Sequence, residues 1–129
     1  MIKPGLKGTA KLVVSERESA KLVGSGEVDV FSTPSMIALM EQAARNAVDP
    51  LLTPENFTVG FKVEVAHLAP APIGREVTAY AELLNVEGRK LTFKVEAFCG
   101  SVKIGEGTHI RYIVSKDKFM EKLRSLYGD

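Results

Sequence analysis

The chain has 129 residues, of which 45% are hydrophobic, and its 17 basic and 16 acidic side chains give a formal net charge of +1. A chain of this length and composition is typical of one globular domain, residues 1–129, with a buried core. Because the lysines and arginines are scattered along the chain, we expect neither a nucleic acid nor an anionic membrane surface as a partner.

Cysteine and histidine content bears on the compartment and on metal binding. The single cysteine, Cys99, can form no disulfide within the chain, and His67 and His109 alone give no recognisable zinc-binding spacing. The first residues, MIKPGLKGTAKLVVSERE, turn charged after the short apolar stretch LVV, which is not typical of a targeting signal or a membrane span. These features predict a cytoplasmic protein without a metal site.

Two strands, near GTAKLVVS and EVDVF, are predicted to precede one long helix. Pro34 lies in the predicted first turn of this helix and Pro50 lies beyond its end, so Thr33 is the expected N-cap. Apolar side chains cover more than half of the helix circumference, which predicts that a second surface covers what the sheet leaves open. These side chains are Met36, Ile37, Leu39, Met40, Ala43, Ala44, Ala47 and Val48.

Most of the remaining chain is predicted to form strands. Alternation in TVGFKVEVAH predicts a half-buried strand with four apolar side chains on one face, and His67 continues that alternation. The segments EVTAYAELLNV and KLTFKVEAFC predict an antiparallel hairpin, in which Cys99 is a core thiol. The four apolar residues of the strand in TVGFKVEVAH are Val59, Phe61, Val63 and Val65. Those of the hairpin are Leu91, Phe93, Val95, Ala97 and Cys99.

The C-terminal part of the chain predicts a last strand and a short helix. In SVKIGEGTHIRYIV, His109 and Arg111 share a face with two glycines, opposite the apolar residues. The spacing of apolar residues in KDKFMEKLRSLY predicts a helix that packs on the domain. The whole order of elements predicts an α+β domain of the hot-dog type, an antiparallel sheet wrapped around one long helix, although other α+β sheets share that order.

Three side chains beside apolar surface carry groups that acyl transfer uses: the hydroxyl of Thr33, the carboxylate of Glu41 and the imidazole of His67. Each has a structural alternative. Thr33 could serve only as a helix cap, Glu41 could pair with Arg45 in the next helical turn, and His67 could bond loop carbonyls. The residues alone leave both interpretations open.

The segment VFSTPSMIALMEQA resembles the helix region of the fluoroacetyl-CoA thioesterase branch of the hot-dog superfamily. In that family a threonine after VF and a glutamate eight positions later are catalytic, which implies these roles for Thr33 and Glu41. His67, before the Ala- and Pro-rich loop in VEVAHLAPAPIG, matches the catalytic histidine, and Gly60 matches a glycine that helps to place the acyl group. The segments NVEGRKLTFKVEA and IGEGTHIRYIV resemble the hairpin and final strand, so the resemblance runs from about Gly26 to Val114.

This resemblance implies an acyl-CoA thioesterase that hydrolyses a small acyl-CoA to the free acid and CoA, with no cofactor beyond the CoA of the substrate. Arg111 would bind either a CoA phosphate or a local carboxylate, and Glu41 would act as nucleophile or as general base. The fluoroacetyl-selective member carries a Pro- and Phe-containing lid where this chain has KLVGSGEVDVF, and Pro34 and Ser35 stand where Gly and Phe are expected. A general short acyl-CoA substrate follows.

Thr33 and Glu41 are too far apart to touch within one helix, because eight residues span roughly 12 Å. We therefore predict a homodimer with antiparallel helices, which could pair further into a tetramer, in which Thr33 of one subunit approaches Glu41 of the other. The central hypothesis is that Glu41 and His67 converge in one partly dry pocket. Two other functions stay open: a hot-dog dehydratase or isomerase acting on an acyl-CoA, and a non-catalytic acyl-CoA-binding dimer.

Overall fold

A computed structural model describes residues 1–128 of the chain. Five strands form one sheet of order β1-β3-β4-β5-β2, in which all neighbours are antiparallel. The strands are β1 (Lys7–Val13), β2 (Asn56–His67), β3 (Glu76–Glu87), β4 (Lys90–Cys99) and β5 (Val102–Ser115), and the helices are α1 (Ala20–Val23), α2 (Thr33–Val48) and α3 (Lys116–Tyr127). The sheet curls around α2, which confirms the predicted α+β hot-dog architecture.

The N-terminus of α2 differs by one residue from the prediction. Ser32 is the N-cap, and its Oγ accepts a hydrogen bond of 3.2 Å from the backbone N–H of Ser35. Thr33 is the first helical residue, so the prediction that Thr33 caps the helix is wrong. Either hydroxyl could cap, but Ser32 has the extended backbone that a cap requires, and Pro34 fits the first turn of the helix. The hydroxyl of Thr33 is thereby left free for another partner.

The apolar surface of α2 is covered within the chain. The helix packs mainly on β1 and β3, and its buried residues are Met36, Leu39, Met40, Ala43, Ala44, Ala47 and Val48. Only Ile37 of the predicted apolar set remains partly exposed. The expectation that this surface needs a second cover is therefore wrong, because the curled sheet surrounds more of the helix than a flat sheet would.

Gly8 of β1 allows this close packing. A side-chain carbon at this position would overlap the backbone carbonyl of Ala43 and lie 2.6 Å from the backbone nitrogen of Ala47. We expect Gly8→Ala to lower the free energy of unfolding by about 1–3 kcal/mol, since neither helix backbone atom can move aside cheaply. Chemical denaturation measures the change, and Thr9→Ala on the exposed side of β1 is the control. Equal stability of the two variants would contradict the prediction.

The predicted faces of β2 are partly reversed by a β-bulge between Gly60 and Lys62. Thr58 is buried, whereas Phe61 is 66% exposed on the outer face of the sheet. Beyond the bulge the prediction holds, because Val63, Val65 and His67 are partly buried between exposed neighbours. The placement of Val59 and Phe61 on the same face as Val63 is wrong, since the extra residue of a bulge shifts the alternation by one.

The region before α2 also departs from the prediction. EVDVF forms no strand; Val30 and Phe31 make only isolated bridges, to Pro72 and Ser19. The sequence prediction also missed α1, a single turn capped by the Ser19 side chain and ended by Gly24 in the left-handed conformation. One turn of helix is too short to give an apolar repeat that a sequence can show.

The hairpin and C-terminal helix have different outcomes. Leu91, Phe93, Val95 and Ala97 are fully buried and Cys99 is 8% exposed, so the predicted apolar face and the core thiol are confirmed. The helix α3 forms as predicted, but none of its residues 116–127 is buried. Phe119 meets Phe57 edge to face at 5.4 Å, while Leu126 is 61% exposed, so the expected packing is limited. None of the helices within residues 1–128 is long and apolar enough to cross a membrane.

Candidate active site

Thr33 and His67 come together at the N-terminus of α2. The chain leaves β2 at His67 beside the first helical turn, and Thr33 Oγ1 lies 2.6 Å from His67 Nδ1. The hydroxyl is available because Ser32 supplies the helix cap. A hydroxyl can donate to the ring nitrogen or accept from it, so this bond persists in both neutral tautomers of the histidine. The structure therefore unites two of the three predicted catalytic side chains.

The other ring nitrogen of His67 is unsatisfied. Nε2 is buried and makes no hydrogen bond with any of residues 1–128. Burial lowers the pKa of His67 below its ordinary value, and the Ala69 backbone opposes this shift in part. Thr33 and His67 line a depression of about 340 Å³, together with Val30, Phe31, Leu68, Ala69 and Pro70. A neutral imidazole thus presents one free nitrogen beside apolar surface, where a proton donor or acceptor could meet it.

Glu41 lies beside Gly60, in the N-terminal half of β2. Its Oε2 is 3.4 Å from Arg111 Nη1 and 3.8 Å from His109 Nε2, and its side chain is 37% exposed. The alternative ion pair with Arg45 is not formed, because Arg45 Nε bonds Asp49 Oδ2 at 2.8 Å. Glu41 therefore belongs to a partly buried cluster with β5 instead of the helix surface.

Gly60 leaves the space that the Glu41 carboxylate fills. A side-chain carbon at residue 60 would lie 2.5 Å from Glu41 Oε2 and 3.5 Å from Arg111 Nη1. Gly60 pairs with Arg111 across the β2–β5 ladder, immediately before the bulge. The group that approaches Gly60 is the carboxylate of Glu41, and the role of Gly60 in placing the acyl group stays a prediction.

Glu41 and His67 do not converge within one chain. Gly60, which contacts Glu41, and His67 are seven residues apart on β2, which corresponds to roughly 20 Å at about 3.3 Å per residue. Because one side chain lies near each of these strand positions, Glu41 and His67 are apart within a single subunit, and their shared pocket stays a prediction for two subunits. The chain carries two half-sites: Thr33 with His67, and Glu41 with Arg111.

All three guanidinium nitrogens of Arg111 form hydrogen bonds within its own chain. It is 4% exposed, its Nε donates to Thr58 Oγ1 at 3.0 Å, and its Nη2 donates to the Thr58 carbonyl at 2.9 Å. Burial lowers the pKa of Arg111, while the carboxylates of Glu41 and Asp49 act to raise it. Of the two predicted roles, the contact with a local carboxylate is therefore the one seen in the structure.

His109 and Thr58, whose roles could not be predicted from the sequence, complete the Glu41 half-site. His109 is 1% exposed and contacts both Arg111 and Glu41. Its position on the same strand face as Arg111 was visible in the sequence. Thr58 was concealed by the bulge, which brings it to the inner face.

Comparisons with known proteins identify the family. A family model described as fluoroacetyl-CoA-specific thioesterase matches residues 14–117. The fluoroacetyl-CoA thioesterase of Streptantibioticus cattleyicolor is 43% identical over 96 residues, which cover 74% of this chain and 69% of that relative.

Solved structures agree with this match. A single-site mutant of the fluoroacetyl-CoA-specific thioesterase FlK, in complex with fluoroacetate and CoA, superimposes with a TM-score of 0.86 at 35% identity and covers 92% of this chain and 99% of that one. A thioesterase superfamily member from Thermus thermophilus superimposes with a TM-score of 0.89 at 30% identity, covering 98% and 93% of the two chains. The chain therefore belongs to the fluoroacetyl-CoA-specific thioesterase family and is a hot-dog acyl-CoA thioesterase.

Proposed function

We propose that the chain hydrolyses a short acyl-CoA thioester in a site shared by two subunits of a homodimer, with Thr33 and His67 from one subunit and Glu41 from the other. The observation that carries this proposal is the buried Nε2 of His67, which has no hydrogen-bond partner within residues 1–128, in a chain whose Glu41 lies beside Gly60, seven residues before His67 on β2. Each half-site lacks what the other supplies. A twofold axis that joins them would complete two identical sites.

The edge of the sheet offers a route to such a dimer. Within residues 1–128, β2 pairs with β5 on one side only, which leaves backbone donors and acceptors along its other edge. Two copies of β2 that pair antiparallel about a twofold axis would bring the His67 end of one strand beside the Gly60 region of the other. In that register, Glu41 of one subunit would face the free Nε2 of His67 in the other.

The proposed reaction needs one water and no cofactor beyond the CoA of the substrate. In one route Glu41 removes a proton from the water, and the water attacks the thioester carbon. In the other route Glu41 itself attacks the thioester carbon to form an anhydride, which water then cleaves. Neutral His67 relays the proton that the water loses, directly or through Glu41, to the CoA thiolate released when the C–S bond breaks, while Thr33 holds the imidazole through Nδ1. A single turnover in ¹⁸O-labelled water tests for the anhydride route, because water that attacks the glutamyl carbonyl of the anhydride leaves label in Glu41, whereas the general-base route places label only in the acid product.

The helix N-terminus can assist the developing oxyanion. Pro34 has no N–H, and the N–H groups of Ser35 and Met36 are bonded to the side chain and carbonyl of Ser32. Thr33 therefore carries the first-turn amide that is left to meet the thioester oxygen, at the positive end of the α2 dipole. The same residue would hold the histidine and the carbonyl.

The substrate class is a short acyl-CoA. The depression beside Thr33 and His67 is shallow and apolar, and related enzymes are named for fluoroacetyl-CoA. A thiol-release screen with acetyl-, fluoroacetyl-, longer aliphatic and aryl-CoA esters tests this proposal, with EDTA present in a parallel set. We expect release of CoA from the shortest esters, unchanged by EDTA. An alkene or hydroxyacyl-CoA product without free CoA would instead indicate a dehydratase or isomerase, and binding without turnover would indicate a carrier.

A cytoplasmic location is also proposed. The single cysteine is buried in the core and forms no disulfide, as expected for a reducing compartment where CoA esters are made and consumed. Cell fractionation with antibody detection tests this location, and recovery with the periplasmic or secreted fraction would contradict it.

Gly60→Ala tests the placement of Glu41. The added methyl would push the Glu41 carboxylate away from Arg111, because that carboxylate would lie 2.5 Å from the new carbon and stands at the end of a flexible side chain. We expect kcat to fall by about 10²-fold while the free energy of unfolding changes by less than about 1 kcal/mol, since a misplaced catalytic base loses most of its effect. Gly26→Ala, away from the site, is the control. A Gly60→Ala enzyme with normal kcat would contradict the assigned role of this space.

The pH profile of kcat/KM tests the protonation state of His67. Catalysis begins with neutral His67, and burial holds its pKa below the ordinary value. Activity should therefore be constant on lowering the pH to the ordinary histidine pKa of about 6.5 and should fall only below it, as the imidazolium forms. Initial rates at subsaturating substrate measure the profile. A rate that already halves above pH 6.5 would show that the pKa of His67 is raised instead of lowered.

A further inference from the structure

His109 is held in one tautomer by two neighbours of opposite hydrogen-bonding character. Its Nδ1 lies 2.9 Å from the carbonyl oxygen of Lys62, which can only accept, so Nδ1 carries the proton. Its Nε2 lies 3.2 Å from Nη1 of Arg111, which can only donate, so Nε2 holds a lone pair. The ring is therefore neutral, with its single proton on Nδ1.

The surroundings of His109 maintain this neutral form. Burial and the charge of Arg111 on β5 lower the pKa of His109, while the Lys62 carbonyl on β2 and Glu41 on α2 act to raise it, with a net lowering. Phe93 of β4 covers the ring with its centroid 6.3 Å away. A proton on Nε2 would point a donor at the Arg111 guanidinium, so protonation would break the contact and place two positive charges side by side.

The bond from Arg111 to His109 fixes the plane of the guanidinium. Thr58 accepts from Nε and Nη2, and the remaining hydrogen bonds of the group involve Nη1, which serves both His109 and Glu41. Thr58 is itself oriented, because its hydroxyl donates to Asp49 Oδ1 at 2.8 Å. A planar guanidinium held along two edges has little freedom to rotate. By accepting a hydrogen bond from Nη1, His109 Nε2 therefore fixes the direction of the other Nη1 hydrogen, which faces Glu41.

We propose that His109 is a positioning residue that, as the neutral Nδ1–H tautomer, orients Arg111 and through it the carboxylate of Glu41. This inference rests on the proposed function, because it gives Glu41 the reaction to perform. His109 touches neither the substrate nor the reacting water. Its effect on the rate is indirect and depends on one lone pair.

Two substitutions distinguish the role of Nδ1 of His109 from the role of its Nε2. In His109→Asn the side-chain amide can still donate to the Lys62 carbonyl but does not reach Arg111, whereas in His109→Gln the amide oxygen takes the place of Nε2. We expect kcat of His109→Asn to fall at least about tenfold with KM changed little, since an acceptor for a charged donor is lost. His109→Gln should recover most of that loss. Thr58→Val, which removes another acceptor from Arg111, should reproduce the loss of kcat if His109→Asn folds poorly.

A measurement independent of activity completes the test. Long-range ¹H–¹⁵N NMR spectra of the wild-type protein should show His109 with its proton on Nδ1 throughout the pH range in which the enzyme is active. A His109 that is protonated on both nitrogens in that range, or a folded His109→Asn enzyme with wild-type kcat, would overturn the inference. Glu41→Gln, assayed in parallel, keeps the two proposals apart. If Glu41→Gln is active, the proposed function fails; if only His109→Asn is active, the positioning role fails.

Discussion

Glu41→Gln is expected to reduce thioester hydrolysis by about 10²–10⁴-fold, because the amide can neither take a proton from water nor attack the carbonyl. The substitution preserves the shape of the side chain, and its amide oxygen can still accept from Arg111 Nη1, which lies 3.4 Å from Oε2 in the native protein. Gly60 should also still accommodate it. The loss should therefore fall on kcat, with the fold and the binding of CoA esters retained.

The matched control for this loss is Glu121→Gln, an exposed glutamate on α3, outside β2 and outside the residues of both half-sites. Steady-state kinetics with the best substrate of the thiol-release screen give kcat for both variants, and thermal melting shows whether each is folded. The control should keep the wild-type rate. A Glu41→Gln enzyme with more than about a tenth of the wild-type kcat would exclude the carboxylate as base or nucleophile.

His67→Ala is expected to lower kcat by a similar factor of about 10²–10⁴, because the thiolate then leaves without a proton donor. Thr33 gives a graded companion test through its 2.6 Å contact with Nδ1. Thr33→Val removes the hydroxyl and should lower kcat, whereas Thr33→Ser keeps it and should retain most activity. The helix should survive both changes, since Ser32 provides the cap.

Stopped-flow thiol release and equilibrium unfolding separate the catalytic effect from a structural one. If Thr33→Val destabilised the protein as much as the loss of a helix cap, by about 1 kcal/mol, without changing kcat, Thr33 would have only a structural role. Equal rates for Thr33→Val and Thr33→Ser would likewise remove the hydroxyl from the mechanism. A His67→Ala enzyme with normal kcat would remove the imidazole.

The long helix and the hairpin could be predicted because their signals are regular and local. Pro34 marks the start of α2, and the alternation from Leu91 to Cys99 continues without interruption through β4. The faces of β2 could not be predicted in full. A bulge adds one residue without an obvious sequence mark, so Phe61 moves to the outer face and Thr58 to the inner one.

The candidate site shows the same division. Thr33, Glu41 and His67 could be selected as chemically suitable residues, and the resemblance to a family gave them roles. Their partners depend on tertiary contacts: Glu41 meets Arg111, which is 70 positions away, instead of Arg45 in the next turn. No spacing rule reports such a contact. The separation of Glu41 from His67 could not be predicted either, because it depends on the contact of Glu41 with Gly60 of β2, seven residues before His67.

The division of the site between two subunits is tested most directly by a mixed dimer. Glu41→Gln and His67→Ala chains with different affinity tags are co-expressed, and the dimer that carries both tags is isolated. In a shared site this dimer has one intact Thr33–His67–Glu41 combination and one doubly altered one, so it should recover about half of the wild-type kcat per dimer, although each parent is inactive. A mixed dimer as inactive as its parents would contradict the account.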